Sequence, residues 1–322
     1  MTGLLLLALT VSLPAAEGPS PRVLIVGIDG CRPDALEKAR TPHVDALAAN
    51  GTRFTATDIQ KADRVGGSDT VSGPGWTNIL TGVFPDKHGV RDNSFEGRQL
   101  DRHPTVYGRL KQARPRAFTA SYTTWPPMKD MLATDADVAE DFYPEMKDYT
   151  LSDYRPSDDA AADAAVALLS ANTEAADPTL VVFYQGQADV AGHELGFHPS
   201  VPEYVESLER VDANIGRVLQ AIEQRPSRAD EDWLILVCTD HGGRGTGHGR
   251  GAEVPEIRNV FLIVSGEAAA KGVSDAATWQ VDVVPTTLTH LGVPIDPAWE
   301  LDGRPIGLKA VPALTDADAH AQ

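Results

Sequence analysis

Short runs of apolar residues alternate with amphipathic segments along the chain, and this alternation indicates the fold class. Four runs lack the polar–apolar alternation of a half-exposed strand, so each predicts a central β-strand covered on both faces. These runs are 22–28, 179–184, 233–239 and 259–264. Helical patterns lie at 157–171, 202–223 and 282–292. Together they predict an α/β fold with a doubly wound, mostly parallel central sheet and helices on both faces.

The ends of the predicted helices follow from capping residues and periodicity. Ser157 is the expected cap at the start of the first helix, and Gly292 is the residue that stops the third. In the second helix, apolar residues recur on one face, as in a helix that packs against a sheet.

Acidic and histidine side chains follow three of the four predicted strands. In a sheet of this kind the carboxyl ends of parallel strands meet at one edge, which is where such folds bind ligands. We therefore expect a metal site that is assembled from distant parts of the chain. Its candidate ligands are Asp29, Asp189, His193, Asp240, His241 and His248.

Length and charge limit the possible functions. The chain has 322 residues, of which 42% are apolar, and a net charge of -18. Such an acidic chain is a poor match for a polynucleotide, whose phosphates need a basic surface. A small anionic substrate stays possible, because bound metal ions can reverse the local field.

The amino terminus carries a short apolar run at 4–13, followed by Pro14 and small residues. The run is too short to span a bilayer, so residues 1–16 are predicted to be a secretory signal peptide. We therefore expect the protein to be exported, either to the periplasm or out of the cell. An apolar tail without a targeting role is the alternative, because Met1-Thr2-Gly3 has no side-chain cation.

Residues 17–322 are expected to form a single domain. Within it, residues 94–160 are less regular, and we expect them to form excursions over the active-site face. The two cysteines, Cys31 and Cys238, could pair in an oxidising compartment, but two buried free thiols are the favoured interpretation.

One long segment, Val71 to Asn93, resembles the alkaline phosphatase superfamily when it is taken with Ile28–Leu36 and Thr41–Leu47. The nearest branch is the type I phosphodiesterase/nucleotide pyrophosphatase family. The resemblance covers most of residues 22–308 and includes 299–307, which resembles the last strand of the family. It implies an alkaline phosphatase-like fold and a metal-dependent hydrolase that acts on small phosphoric esters.

The resemblance implies that Ser72 is the nucleophile and forms a phosphoseryl intermediate. Ser72 precedes Pro74 by two residues and the Thr81-Gly82 pair by nine, as the family nucleophile does. Asn93 follows by 21 residues, where the family has an asparagine that binds a phosphoryl oxygen. Two alternatives remain open at this point: Ser72 only caps the helix beginning near Pro74, or Thr70 is the nucleophile.

The same resemblance implies two divalent metal ions, for which mixed nitrogen and oxygen ligands without a thiolate favour zinc, with manganese or iron as the alternatives. The first would be held by Asp29, Asp240, His241 and Ser72, and the second by Asp189, His193 and a third histidine. His248 is the choice for that histidine, because a Gly-His-Gly shortly after Asp-His-Gly recurs in the superfamily. Nucleotide pyrophosphatases have this ligand much further downstream. His43, His88 and His290 are expected to be structural, and the role of His198 is left open.

The type of ester is less well determined by the sequence. A phosphomonoesterase needs a cation for the additional phosphate charge, which Arg32, Arg64 or Arg91 could supply. An apolar pocket formed from Trp76, Trp125 or Tyr184 would favour a diester or a nucleotide, although these aromatic residues could equally belong to the core. We expect a phosphodiesterase/nucleotide pyrophosphatase, with a phosphomonoesterase as the alternative.

Two further alternatives are weaker. Sulfatases make formylglycine from the first residue of Cys/Ser-x-Pro-x-Arg, but here Trp76 occupies the position of the arginine. A metal-containing binding module without catalysis would usually lack the nucleophile or a ligand, whereas this chain has a candidate for each. Oligomeric state is not indicated by any pattern in the chain.

Overall fold

The computed structural model describes residues 18–309, except 62, 63, 65, 66, 145–149, 172 and 174–176. The predicted signal peptide, residues 1–16, lies outside the described residues. Within the described part, no helix combines the length and apolar character needed to cross a bilayer.

A mixed, mostly parallel sheet forms the centre of the described structure. Its strands are β1 (Ser20–Ile28), β2 (Gly51–Asp58), β3 (Phe118–Thr123), β4 (Val138–Asp141), β5 (Pro178–Gln185), β6 (Glu231–Cys238), β7 (Asn259–Ser265), β8 (Gly272–Ser274) and β9 (Thr278–Trp279). The spatial order is β4-β3-β5-β1-β6-β7-β2-β8, and β9 pairs with β2. Only β7 runs antiparallel to its two neighbours, β6 and β2.

The helices cover both faces of this sheet. They are α1 (Pro33–Lys38), α2 (Pro42–Asn50), α3 (Ser72–Thr81), α4 (Pro85–His88), α5 (Val106–Ala113), α6 (Leu151–Ala171), α7 (Gln187–Leu195), α8 (Pro202–Glu223), α9 (Pro255–Arg258) and α10 (Val283–His290). Alternate side chains of β1 enter two hydrophobic cores. Leu24 and Val26 pack with α1, α2, α6, α7 and α8, whereas Val23 and Ile25 pack with α3, α5 and α10. The predicted fold class is confirmed.

Helix α6 begins at Leu151 rather than at the predicted cap Ser157, and Pro156 lies inside it. A proline here removes one backbone hydrogen bond of the helix. The first turn is nevertheless anchored, because Leu151 and Tyr154 are buried and the Tyr154 hydroxyl donates to the carbonyl of Thr124. Tertiary contacts therefore extend the helix past the point where its local sequence suggests a start.

Two other segments differ from expectation. Part of 94–160 is regular, because it supplies α5 and the sheet strands β3 and β4. The segment 299–307 is not a strand: only an isolated bridge joins Leu308 to Ala269. Its side chains serve other contacts instead, since the Asp302 carboxylate accepts from Phe84 N and from Lys87 Nζ.

Candidate active site

Three adjacent parallel strands bring the candidate residues to one edge of the sheet. β1 pairs with β5 on one side and with β6 on the other. Asp29 directly follows β1, and Asp240 and His241 follow β6 after a single residue. Helix α7 begins just after β5 and carries Asp189 and His193 one turn apart. The predicted convergence of these distant segments is therefore present.

One group of possible metal ligands consists of Asp189, His193 and His248. The two histidine Nε2 atoms lie 2.9 Å apart. Asp189 is close to both rings, with 3.5 Å from Oδ2 to His193 Nε2 and 3.5 Å from Oδ1 to His248 Nε2. His248, taken from the glycine-rich segment, thus lies with the two other residues predicted for the second metal.

A second group surrounds His241 Nε2. This nitrogen lies 3.2 Å from Asp240 Oδ2, 3.6 Å from Asp29 Oδ1 and 3.4 Å from Ser72 Oγ. Asp189 also belongs to this group, because ligand atoms of Asp29, Asp189 and His241 all lie within 4.8 Å of one another. Asp189 therefore lies between the two groups, whereas the sequence predicts it for the second metal alone.

The three histidines share one hydrogen-bonding arrangement. His241 Nδ1 lies 2.9 Å from Gly242 O, His193 Nδ1 2.9 Å from Thr246 O, and His248 Nδ1 2.8 Å from Thr70 O. A carbonyl oxygen only accepts, so each Nδ1 must carry a proton, and each ring therefore directs its Nε2 into the cluster. His193 Nε2 and His248 Nε2 lie 2.9 Å apart, a distance at which the two nitrogens either share a proton or face one cation together.

The carboxylates also lack partners on their inner sides. Asp29 Oδ1, Asp189 Oδ1 and Asp240 Oδ2 are buried and have no hydrogen-bond donor. Burial, and then the charges of Asp29 and Asp189, raise the pKa of Asp240 well above its usual value. Burial and the Asp189 charge likewise raise the pKa of Asp29. Unpaired buried carboxylates beside inward-facing imidazole nitrogens fit divalent metal ions as ligands.

Two side chains hold the outer oxygen of Asp29, and the sequence gives no indication of this. Trp76 Nε1 donates to Asp29 Oδ2 at 2.9 Å, and the Tyr184 hydroxyl donates to the same atom at 2.6 Å. Trp76 is fully buried and belongs to the core, whereas Tyr184 also lines the adjacent cavity. Both donors leave Asp29 Oδ1 directed into the cluster.

Ser72 is the first residue of α3, and its predecessor Val71 is the amino-terminal cap. Ser72 is therefore not the helix cap, and the helix starts two residues before Pro74. Asn93 lies beside it, with Oδ1 accepting from Gly73 N at 2.7 Å. The Thr70 hydroxyl is engaged elsewhere, since it donates to His248 O and accepts from Gly251 N.

A cavity of about 330 Å³ opens onto both ligand groups. Ser72, Asn93 and Asp189 line it together with the aromatic rings of Trp125 and Tyr184. Of the described residues that line the cavity, none is a lysine or an arginine. The acidic and histidine side chains of the cavity therefore have no lysine or arginine beside them among the described lining residues.

The arginines considered for a monoester phosphate have other positions. Arg32 is buried and donates to the Asp34 carboxylate and to the carbonyls of Phe197 and Gly243. Arg64 pairs with Asp86 and Asp302, and Arg91 is exposed outside the cavity lining.

Three other histidines and both cysteines lie outside the ligand groups. His88 is buried against Asn78 Oδ1 at 2.9 Å, His290 Nε2 lies 2.9 Å from Asp232 O, and the exposed His198 contacts Ser200. Both cysteines are free and buried, and burial raises the pKa of each thiol, so the favoured interpretation of two free thiols is confirmed.

Comparison with known proteins identifies a family and a relative. The model of the type I phosphodiesterase/nucleotide pyrophosphatase family matches residues 23–252. An uncharacterised pyrophosphatase/phosphodiesterase of Schizosaccharomyces pombe is 22% identical over 270 residues. That alignment covers 76% of this chain and 50% of the relative, so the chain spans half the length of the curated relative that it matches.

Solved structures share the fold at low identity. Murine ectonucleotide pyrophosphatase/phosphodiesterase 5 superposes with a TM-score of 0.63 at 15% identity, covering 86% of this chain and 96% of that one. A 2-O glycosaminoglycan sulfatase gives a TM-score of 0.68 at 14% identity, covering 90% and 73%. At these identities the similarity shows the architecture and does not distinguish phosphate from sulfate esters.

Proposed function

The chain belongs to the type I phosphodiesterase/nucleotide pyrophosphatase family, and we propose that it is a two-metal phosphodiesterase or nucleotide pyrophosphatase with Ser72 as its nucleophile. The observation that carries this proposal is the position of Ser72 Oγ. It lies at the amino end of a buried helix, 3.4 Å from His241 Nε2, where inward-facing imidazoles and unpaired carboxylates meet. The partial positive charge of a helix amino terminus favours an anion at the same place.

The residues assigned to the metals follow from the two ligand groups. Asp29, Asp240, His241 and Ser72 would hold one ion, and Asp189, His193 and His248 the other. Asp189 lies close enough to both groups to interact with either ion. Bound zinc would lower the pKa of a hydroxyl group in contact with it and offset negative charge on phosphoryl oxygens.

Ser72 would perform the chemistry in two displacements. Its Oγ loses its proton and forms a bond to phosphorus while the bond between phosphorus and the leaving alcohol oxygen breaks. The leaving oxygen gains a proton, and a phosphoseryl intermediate results. Water then attacks phosphorus, and Ser72 Oγ departs and regains its proton. The Asn93 carbonyl oxygen is occupied by Gly73 N–H, which leaves the Asn93 amide group to donate to a non-bridging oxygen.

The lining of the cavity favours a diester over a monoester. A monoester carries one more negative charge near neutral pH, and none of the described lining residues is a lysine or an arginine. Trp125, which is partly exposed, instead offers apolar surface to the second ester group. The lack of a lysine or an arginine among the described lining residues thus disfavours the doubly charged substrate.

The sulfatase alternative is disfavoured by Trp76. Where the formylglycine signature has an arginine, this chain has a buried indole that donates to Asp29. We expect an unmodified serine at position 72, and intact-mass analysis of the peptide that contains Ser72 measures this directly. A formylglycine mass would favour sulfate esters.

Three substrates test the proposal. Zinc-loaded and EDTA-treated protein would be assayed with bis-p-nitrophenyl phosphate, p-nitrophenyl phosphate and p-nitrophenyl sulfate. The proposal expects chelator-sensitive hydrolysis that is fastest with the diester. Preference for the monoester would favour a phosphatase, and no turnover of any of the three would favour a binding module.

A further inference from the structure

The segment that presents His248 has little intrinsic rigidity. Residues 242–251 contain six glycines in ten positions. Glycine loses more backbone freedom on folding than any other residue, so such a segment is costly to order. Gly245 and Arg250 also adopt positive φ angles of 61° and 55°. His248 therefore needs contacts from outside the segment to keep its ring in place.

Thr70 supplies three of these contacts and brackets His248. Its hydroxyl donates to the carbonyl of His248 and accepts the N–H of Gly251 at 2.8 Å. Its carbonyl accepts from His248 Nδ1 at 2.8 Å, which fixes the ring with Nε2 towards Asp189 and His193. Thr70 is only 3% exposed, so solvent hardly competes for these bonds.

Asp69 supports the same arrangement from the neighbouring position. Its Oδ1 accepts the N–H of Thr70 at 2.7 Å and also the N–H of Arg250. The backbone N–H of Asp69 donates to Arg91 O at 2.7 Å, which fixes the pair to the segment leading to Asn93. The strained backbone at Arg250 is thus held by a charge-assisted hydrogen bond.

We propose that Asp69 and Thr70 form a clasp that positions His248 as the third ligand of the second metal. Thr70 is a positioning residue in this arrangement and not the nucleophile. The clasp also joins the third ligand to Ser72, two residues further along the chain, so that the nucleophile and the second metal keep a fixed separation. This inference rests on the proposed function, because it assigns a metal to His248.

Matched variants of Thr70 test the clasp. Thr70→Val keeps the shape of the side chain and removes the hydroxyl, whereas Thr70→Ser keeps the hydroxyl. Thr52→Val is the control, because Thr52 is also buried and donates to a backbone carbonyl, Ala270 O at 2.8 Å, away from the ligand groups. Zinc binding would be measured by competition with a chromophoric chelator.

The expected result is a loss of zinc affinity at one of the two sites only. Thr70→Val should weaken the binding of one zinc by about 10–100-fold, as loss of an outer contact to a metal ligand does. Thr70→Ser should restore the wild-type affinity, and Thr52→Val should leave both sites unchanged. At saturating zinc, Thr70→Val should recover most of its diester hydrolysis, which a nucleophile variant would not.

Amide hydrogen exchange on metal-free protein gives a second measurement. Thr70→Val should accelerate exchange at 247–251, and Thr52→Val should not. If wild-type protein binds zinc and cleaves the diester, but Thr70→Val has the same zinc affinity and the same amide exchange at 247–251, the clasp is overturned and the proposed function stands. If the wild-type protein binds no zinc, the proposed function and the ligand role of His248 fall together, and exchange still reports whether Thr70 holds the segment.

Discussion

Two hydroxyl groups near the start of α3 have different surroundings, and this difference distinguishes their roles. Thr70 Oγ1 donates one hydrogen bond and accepts another from the backbone around His248. Ser72 Oγ has no such backbone partner and lies 3.4 Å from His241 Nε2. A nucleophile needs a lone pair that is free to reach phosphorus, so the geometry favours Ser72.

Replacement of Ser72 by alanine should abolish turnover without removing the metals. We expect kcat for the diester to fall by about 10³-fold or more, because the attacking atom is lost. Asp29, Asp240 and His241 remain, so zinc content should stay near that of the wild type. Thr70→Ser is the matched control with retained activity. Turnover of Ser72→Ala close to that of the wild type would contradict the nucleophile assignment.

The Tyr184 hydroxyl is expected to affect metal affinity more than the chemical step. Tyr184→Phe removes one of two donors to Asp29 Oδ2 and leaves the carboxylate freer to rotate. Zinc affinity at the first group should fall by about 10–100-fold. Tyr107→Phe is the control, since Tyr107 is also fully buried but belongs to the hydrophobic core and not to the ligand groups. Equal zinc affinity in the two variants would exclude this role for Tyr184.

At the scale of secondary structure, α6 organises the ends of two strands beside the cavity. Its buried Asp158 accepts from Thr124 Oγ1 at 2.8 Å and from Gly186 N at 3.0 Å. The other carboxylate oxygen accepts from both the backbone and side-chain nitrogens of Gln187, each at 3.0 Å. One side chain thus connects the segment after β3, which carries Trp125, to the start of α7, which carries Asp189.

Asp158→Asn should destabilise the protein, because the new amide N–H group would face N–H or O–H donors that the carboxylate oxygen accepts from. We expect a loss of about 1–3 kcal/mol in the free energy of unfolding. Burial raises the pKa of Asp158 to about 6 from 3.8, so the native state binds more protons than the unfolded state between these pH values. This group's stabilisation therefore falls as pH rises from about 4 to about 6.

The loss of unfolding free energy caused by Asp158→Asn should consequently be larger at pH 4.5 than at pH 7. Urea unfolding of both proteins at the two pH values measures this difference, in which the other titrating groups cancel. Asp159→Asn is the control, because the Asp159 side chain is 44% exposed and pairs at the surface with Arg210. A loss that is independent of pH would argue against a raised pKa for Asp158.

The central strands and the helix at 202–223 could be predicted because their apolar patterns are long and uninterrupted. The start of α6 could not, since it depends on the distant contact between Tyr154 and Thr124. Strand β4 was missed for a related reason: it has four residues, all of them at least partly exposed, at an edge of the sheet. Such a strand carries little hydrophobic periodicity.

The sequence predicts that the candidate residues lie close together, and they do, but it does not predict the contacts that support them. The residues predicted for the metals and the nucleophile meet at the ends of β1, β5 and β6. The contacts of Trp76 and Tyr184 with Asp29 depend on side-chain directions across separate elements, which no local pattern encodes. The same is true of Asp189, whose position between two groups results from the fold.

The distribution of charge over the whole molecule has a consequence for stability. The chain carries a net charge of -18, and three of its carboxylates meet in one buried cluster. Without metals, burial and mutual repulsion raise the pKa values of Asp29 and Asp240. A carboxyl group with a raised native pKa stabilises the protein at low pH, and this contribution is lost as pH rises above about 4.

Metal removal should therefore destabilise the protein more at high pH than at low pH. Zinc binds deprotonated ligands, so its affinity and its stabilisation, about 4.1 kcal/mol at 1,000 times Kd, increase with pH. Calorimetry with zinc or with EDTA should show a Tm difference that widens from pH 5 to pH 8. Asp240→Asn provides the internal control, because it removes one repelling charge and one ligand. The metal-free variant should melt above the metal-free wild type at pH 8, and zinc should raise its Tm by less. If the Tm difference between zinc-bound and metal-free wild type were constant with pH, this would contradict a carboxylate cluster whose charge is compensated by metal.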